Sequence, residues 1–501
     1  MDPLERLSSI GQFGMKPGLF RMKWLMEALG FPQMSIPSIH VAGTNGKGST
    51  CAMVDAIMSS FDVRRGLYTS PHLQRLTERM VFDGKEVEEG ELRNALDHIF
   101  EIIDGKPSKN GEPTYFEILT AAFFHLSSER GSDLNIVEVG MGGRLDATNI
   151  LEPAACAITS ISLDHQEHLG EEEYTIAREK GGIIHPSTPV VIGPLHMEGD
   201  EGRRALRGLL EICTFNGCPT ILLSSEEGSE EGMEMLRSSG VPDGRLLVVE
   251  GSVKDGRTFA RISTAPVVED GPFADVFQLM DTLLPGDFST PLLGLHQAYN
   301  MAASICLSLL SLPSARSHLR LKEGDRGALN DLIDGSHGEL LKDPGTERMA
   351  ELVREGLGRT RIPGRMERLT SKGVEIIYDG GHNSQAAGSL ASTFQLIHPG
   401  KKAPMLFTMK SDKDPVSYLA NTSKILSSLV ITELKEGGMS TVDMARAAAS
   451  LGDEGFDIHI RPDMDSALAL WGRLTEEDSI GIAGGSFYLY EPLMKWLRRP
   501  R

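Results

Sequence analysis

Basic charge is in short supply in this sequence. Its 50 lysines and arginines face 70 aspartates and glutamates, a formal net charge of -20 at pH 7. Such a surface repels the phosphate backbone of nucleic acids. Cysteine is scarce as well. Cys51, Cys156, Cys213, Cys218 and Cys306 are an odd, scattered set, which is no disulfide framework. Cys213 and Cys218 stand closest, but without a second pair or a histidine cluster they make no zinc motif. No apolar run approaches the length of a membrane span. The opening Met1-Asp2-Pro3-Leu4-Glu5-Arg6 lacks the basic flank and apolar stretch of a signal peptide. The expectation is a cytoplasmic monomer that binds small molecules, with no nucleic acid and no membrane among its partners. Anionic substrates are not excluded, because a deep site can gather lysine, arginine and a divalent cation inside an acidic protein.

What is present is enough apolar material, 40% of 501 residues, for two cores rather than one. Short β-branched runs alternate with helical patterns. Ser38–Ala42, Asn135–Val139, Ala155–Thr159 and Pro189–Ile192 read as strands, and Ser49–Ser60 reads as a helix with Met53, Val54, Ile57 and Met58 on one face. Strand and helix in alternation imply βαβ units and a mainly parallel sheet. Ligands of such sheets sit beyond the carboxyl ends of the strands. A stretch rich in Ser, Gly, Asp and Arg, with the turn signal Asp343-Pro344-Gly345, interrupts the pattern. After it, Val374–Tyr378, Pro404–Thr408, Ser427–Ile431 and Ile480–Ala483 read as strands of a second α/β series. The expected organisation is a domain over residues 1–312, an interdomain connection over 313–357, and a smaller Rossmann-like α/β domain over 358–501. Residues 225–290 hold a Glu/Gly/Ser-rich segment followed by candidate short strands, and receive no role.

The strongest local signal is Gly43-Thr44-Asn45-Gly46-Lys47-Gly48-Ser49-Thr50, set between a strand and a helix. Glycines let backbone N–H groups wrap a phosphate chain, the helix amino terminus adds partial positive charge, and Lys47 can reach the terminal phosphates. Ser49 or Thr50 can offer a hydroxyl to Mg²⁺. The plain alternative is a glycine-rich turn with a surface lysine. The spacing departs from the usual phosphate-loop pattern, because the first glycine stands only three residues before Gly46 and a glycine follows the lysine.

A loop of this form resembles that of the folylpolyglutamate and dihydrofolate synthases, a branch of the Mur ligase superfamily. Further segments resemble the family in the same order. Tyr68-Thr69-Ser70-Pro71-His72-Leu73 resembles its second nucleotide and folate loop, which implies Ser70 as a Mg²⁺ ligand and Pro71 and His72 at the substrate. Glu138-Val139-Gly140-Met141-Gly142-Gly143-Arg144-Leu145-Asp146 carries a glutamate at the end of an apolar strand. An unpaired carboxylate is costly there, and a divalent cation that prefers oxygen removes the cost. The resemblance makes Glu138 a metal ligand. It makes Asp146 a pterin contact, although a loop-capping aspartate fits as well. Phe116 reads as packing rather than pterin stacking.

In Ser162-Leu163-Asp164-His165, the resemblance gives His165 to a second Mg²⁺, although imidazole is a less usual partner for that ion. Lys180 matches the lysine that many such ligases carbamylate to N6-carboxylysine. In the second half, Gln297 and Asn300 resemble adenine-side residues. Arg365 of Pro363-Gly364-Arg365, and Asp379 and His382 of Tyr378-Asp379-Gly380-Gly381-His382-Asn383, resemble nucleotide contacts.

The implied reaction is ATP-dependent joining of L-glutamate to a pterin carboxylate through an acyl phosphate. Dihydropteroate, a reduced folate, or both serve as acceptor, with a lean toward both. Lys47, Glu138, His165 and Lys180 are the implied catalytic set. The rival readings are a related ligase for another pterin, a deazaflavin or a peptidoglycan precursor, and a regulatory ATPase. A regulatory ATPase accounts for Gly43 to Ser49 and leaves Glu138, His165, Lys180 and Asp379 unexplained.

Overall fold

The computed structural model describes all residues except 12–16, 107, 110, 165, 195–199, 269–273, 316–343, 372, 453–454 and 499–501. The chain divides into two compact units. The first comprises Met1–Glu250, Ala260–Ser289 and Tyr299–Thr360, and the second Gly251–Phe259, Thr290–Ala298 and Arg361–Arg501. No helix among the described residues is long and apolar enough to cross a membrane.

The large sheet begins with β1 (Ser38–Ala42), β2 (Arg65–Tyr68), β3 (Met80–Phe82) and β4 (Lys85–Glu86). It continues with β5 (Leu134–Glu138), β6 (Ala155–Ile158), β7 (Val190–Ile192) and β8 (Thr220–Ser224). Residues 225–290 supply β9 (Gly244–Lys254), β10 (Arg257–Val268) and β11 (Gly286–Thr290). The spatial order is β11-β10-β9-β8-β7-β6-β1-β5-β2-β3-β4. From β9 to β2 the ladders are parallel, and β3 and β4 close one edge antiparallel.

Strands β1, β5, β6 and β7 are buried at every position. Helices cover both faces of a parallel sheet, which is why β6 and β7 read as continuous apolar runs rather than alternating ones. One core layer gathers Tyr68, Phe82, Phe123 and Phe124 beside helices Glu89–Gly105 and Tyr115–Arg130. Tyr68, Phe82 and Phe123 stack with centroids 5.0 and 5.8 Å apart, and each buried ring contributes roughly 2 kcal/mol or more. Thr114 and Glu117 start the second of these helices with a reciprocal capping box, worth about 1 kcal/mol. The other layer packs Ile158, Val190 and Ile192 against Leu206 and Leu209 of helix Asp200–Phe215.

Part of the stretch expected to connect domains is helix Pro344–Arg359, with Gly356 lying against the backbone of Ile57 in helix Lys47–Ser60. Residues 316–343 of that stretch fall outside the described residues.

The second unit holds β12 (Glu367–Ser371), β13 (Val374–Asp379), β14 (Ala403–Phe407), β15 (Leu426–Ile431), β16 (Asp457–Ile460) and β17 (Ile480–Gly484). Their order is β12-β13-β17-β14-β15-β16, parallel except for the β12–β13 hairpin. Its core centres on Ile377, Phe394, Met405, Phe407 and Tyr418. The chain is thus a two-domain α/β protein with a large, mainly parallel sheet followed by a smaller one.

Candidate active site

The order β6-β1-β5-β2 decides where the chemistry gathers. Four neighbouring parallel strands end on the same side, and adjacent strands lie about 4.8 Å apart. The loops after Ile158, Ala42, Glu138 and Tyr68 therefore stand side by side, although the chain makes them in the order β1, β2, β5, β6.

The phosphate loop is clamped by the loop after β6. The Thr44 N–H donates to Ser160 O at 2.8 Å, and the Thr44 hydroxyl donates to Ser162 O while accepting the Ser162 N–H, both at 3.1 Å. The Asn45 N–H donates to the Ser160 hydroxyl at 2.9 Å, and the Thr159 hydroxyl donates to Asn45 O at 2.6 Å. Gly46 caps helix Lys47–Ser60 in the left-handed region, φ 88°, without a side-chain capping bond. The helix amino terminus behind Gly46 carries the partial positive charge that favours an anion. A Cβ on Gly46 would stand 2.5 Å from the Asn300 side-chain oxygen, so Asn300 borders the loop.

Two lysines converge on the loop. Lys47 Nζ donates to Gly43 O at 2.9 Å and Thr44 O at 3.1 Å. Lys180 Nζ donates to the same Gly43 O at 3.0 Å. Lys180 is buried. Desolvation, and secondly the Lys47 charge, push its amine down to about 7.

On the neighbouring strand Glu138 is buried, and its Oε2 accepts the Ser70 N–H at 3.0 Å. The Ser70–Pro71 peptide is cis. Among the described residues no cluster of three or more His, Cys, Asp and Glu side chains forms a metal cage. The ligand set that the resemblance implies, the buried Glu138 carboxylate with the hydroxyls of Ser49 and Ser70, is instead all oxygen. It suits Mg²⁺, which keeps several waters and shares phosphate oxygens rather than filling a protein cage. Another oxygen of this loop, Thr50 Oγ1, is buried without a hydrogen-bond partner. His165 lies outside the described residues.

The Gly140–Asn149 loop packs on the end of helix Glu173–Gly181. Arg144 pairs with Glu179 at 2.8 Å, and a Cβ on Gly143 would meet Lys180 O at 2.6 Å. Asp146 is buried, and its carboxylate faces its own loop. Oδ2 accepts the Met141 N–H at 2.8 Å, and Oδ1 accepts the Thr148 N–H at 3.0 Å and the Thr148 hydroxyl at 2.5 Å. Burial raises its pKa.

After β2, Pro71 is exposed. His72 Nδ1 accepts from Arg79 Nε at 2.9 Å. Burial, with the Arg79 charge, lowers the imidazole to about 4, so it stays neutral. Glu78 gathers the N–H groups of Leu73, Gln74 and Arg75 and holds this loop in shape.

In the second unit the structure brings together Arg365, Asp379 and His382. The Asp379 carboxylate accepts the Met366 N–H at 2.9 Å and the Gly381 N–H at 2.8 Å. Its burial raises the pKa against the opposing effect of Arg365. The Arg365 guanidinium lies 4.4 Å from the centroid of the Phe487 ring, and His382 meets the same ring edge-on at 6.1 Å. Gln297 is buried beside His296 at the start of helix His296–Ala315.

Comparison with known proteins finds relatives along the whole chain. Residues 41–198 match the Mur ligase middle domain, and residues 364–486 match the Mur ligase glutamate ligase domain. A Mycobacterium tuberculosis dihydrofolate synthase/folylpolyglutamate synthase is 30% identical over 87% of this chain and 78% of its own length. The chain belongs to that family. The family's Bacillus subtilis member is 29% identical over 80% of this chain and 77% of its own length. The solved M. tuberculosis folylpolyglutamate synthase, complexed with ADP and AMPPCP, superposes with a TM-score of 0.75 at 26% identity, covering all of both chains.

The sequence by itself does not single out Thr159, Ser160 and Ser162 as the clamp of the phosphate loop. The signal that could have found them is a run of hydroxyl residues directly after a fully apolar strand. Nor does it draw the eye to His40, hidden inside β1.

Proposed function

We propose that this chain is an ATP-dependent ligase that joins L-glutamate to a pterin-bearing carboxylate, acting on dihydropteroate and on reduced folates alike. The observation that carries the reading is the meeting of a lysine-bearing phosphate loop, a buried carboxylate and a buried amine at the ends of β6, β1, β5 and β2. A simple nucleotide switch has no use for the second lysine on Gly43 O. The names of the family's M. tuberculosis and B. subtilis members support both acceptors.

In the proposed reaction a carboxylate oxygen of the acceptor attacks the γ-phosphorus of ATP and ADP departs, leaving an acyl phosphate. The glutamate amine then attacks the acyl carbon, and phosphate leaves as the amide forms. The chain's task is positioning and charge neutralisation. The Gly43–Thr50 loop, at the amino terminus of helix Lys47–Ser60, holds the phosphates, and Lys47 offsets their charge. Glu138, Ser49 and Ser70 would hold Mg²⁺, with His165 as the further ligand implied by the resemblance. The ion would supply Lewis-acid neutralisation of the phosphate oxygens. Pro71 and His72 are assigned to the acceptor side, together with the loop that Asp146 shapes. Asn300, Arg365, Asp379 and His382 are assigned to the nucleotide. We place the reaction in the cytoplasm, where thiols such as the five free cysteines here stay reduced.

The test is incubation with ATP, Mg²⁺ and glutamate, offering dihydropteroate and tetrahydrofolate separately, with products read by mass. Gain of one glutamyl residue on each acceptor is expected. No gain on either, with ATP turnover abolished by Lys47→Ala, would leave an ATPase and remove the folate assignment.

A further inference from the structure

His40 sits in the middle of β1, with only Val41 and Ala42 between it and the phosphate loop, and it is fully buried. Its Nε2 lies 2.8 Å from Thr148 Oγ1, 108 residues away in sequence. Thr148 Oγ1 is in turn 2.5 Å from Asp146 Oδ1, and Asp146 Oδ2 accepts the Met141 N–H. Glu138 stands three residues before Met141. A single file of hydrogen bonds therefore runs from the strand that feeds the phosphate loop to the backbone just beyond the buried carboxylate.

The direction of that file follows from counting protons. The Thr148 hydroxyl has one proton. Asp146 already faces two N–H donors and acts as acceptor, so the hydroxyl proton points to Asp146. Thr148 must then accept from His40, which fixes the proton on Nε2. The Nδ1 left over is buried without a hydrogen-bond partner. The opposite tautomer would bury an orphaned N–H there and demand a second proton from Thr148, a costlier arrangement on both counts.

We propose that His40 is a positioning residue for the ligase reaction, setting through Thr148 and Asp146 where the Gly140–Met141 backbone, and with it Glu138, stands relative to the phosphate loop. The inference rests on the reading of that loop and Glu138 as the nucleotide and metal site. A histidine serves where an apolar residue would not, because the far end of the file needs a donor delivered from inside the strand.

The test compares His40→Leu with His40→Gln, whose amide N–H can take the place of Nε2–H, and with Thr148→Val. Three readouts are taken: kcat and KM for ATP, ADP affinity by calorimetry, and amide hydrogen exchange across residues 140–149. His40→Leu is expected to lower kcat roughly 10–100-fold, as loss of an outer partner of a site does. KM for ATP should stay within a fewfold, and exchange of the Met141 and Thr148 amides should quicken about tenfold. His40→Gln should recover most of both losses. His40→Leu combined with Thr148→Val should be little worse than either alone, because both break one file.

Unchanged kcat and exchange in His40→Leu would overturn the proposal, as would additive losses in the double variant. If His40→Leu does not fold, Thr148→Val against Thr148→Ser makes the same comparison from the other end. Only the serine should retain activity, and equal loss in both would overturn the proposal. Wild-type protein that binds no ADP would instead bring down the nucleotide-site reading on which the inference stands.

Discussion

Lys47 and Lys180 donate to one oxygen, the carbonyl of Gly43, from 2.9 and 3.0 Å. Two full cations on one buried acceptor repel, and the structure resolves the conflict on Lys180, whose amine is held down to about 7. At neutral pH a large share of it is the free base, the form that adds to carbon dioxide. Carbamylation would turn the second cation into an anion and remove the repulsion from Lys47. The expected result is a carbamate carbon signal after equilibration with ¹³C-bicarbonate, absent in Lys180→Gln. The same variant should lower kcat roughly 10²–10³-fold, the scale of losing one charged group at a reacting centre. A wild-type spectrum without that signal would rule the carbamate out.

Glu138→Gln keeps the shape of the side chain and can still accept the Ser70 N–H, but it loses the charge. The Mg²⁺ concentration for half-maximal activity should rise roughly 10–100-fold, while thermal stability holds or increases, because a buried carboxylate is removed. An unchanged Mg²⁺ titration would take Glu138 out of the metal site.

Gly46→Ala combines a left-handed backbone with a contact to Asn300 at 2.5 Å. The backbone alone costs about 1–2 kcal/mol. The loss should appear in chemical denaturation of the free protein, and ADP affinity should fall with it. Gly46→Ala, Asn300→Ala should recover part of the affinity by relieving the contact. No recovery would mean that the backbone term dominates.

Acid should destabilise both units through buried neutral histidines. His40 is lowered to about 3, His296 to about 4 and His72 to about 4, chiefly by burial. Between those values and the unfolded 6.5, the unfolded chain binds more protons than the native one. Stability should therefore be intact above pH 6.5 and decline as pH falls from there toward 4. Each such histidine contributes at most about 1.4 kcal/mol per pH unit. Urea unfolding at pH 7 and pH 5 measures the decline, and His296→Asn should flatten the part that belongs to the second unit.

Much of this fold and site is legible in the amino-acid sequence alone. Strands such as Ala155–Ile158 announce themselves because burial on both faces favours unbroken apolar residues. The phosphate loop is local, so its function is written in eight consecutive residues. Clamps are not local. Thr44 and Ser162 exchange two bonds across 118 residues, and nothing in either neighbourhood names the other. His40 is hidden for a related reason, since a histidine in an apolar strand is explained only by the Thr148 hydroxyl it meets. The strands of residues 225–290 are legible only as short candidates without a role, because their sequence mixes Gly, Glu and Ser with short apolar runs, a pattern that extends the edge of a sheet rather than its centre.

The out-of-sequence order of β6, β1, β5 and β2 also bears on when this protein becomes able to grip a phosphate. On the ribosome, the Gly43 loop emerges early with no partner for Thr44 or Asn45. Its native shape must wait for Ser160 and Ser162, and the second lysine arrives only with residue 180. Closing loops of that length is entropically slow, so nucleotide cannot act as a template for the first βαβ unit. A nascent chain halted before residue 160 would carry the whole phosphate-binding motif and no working grip.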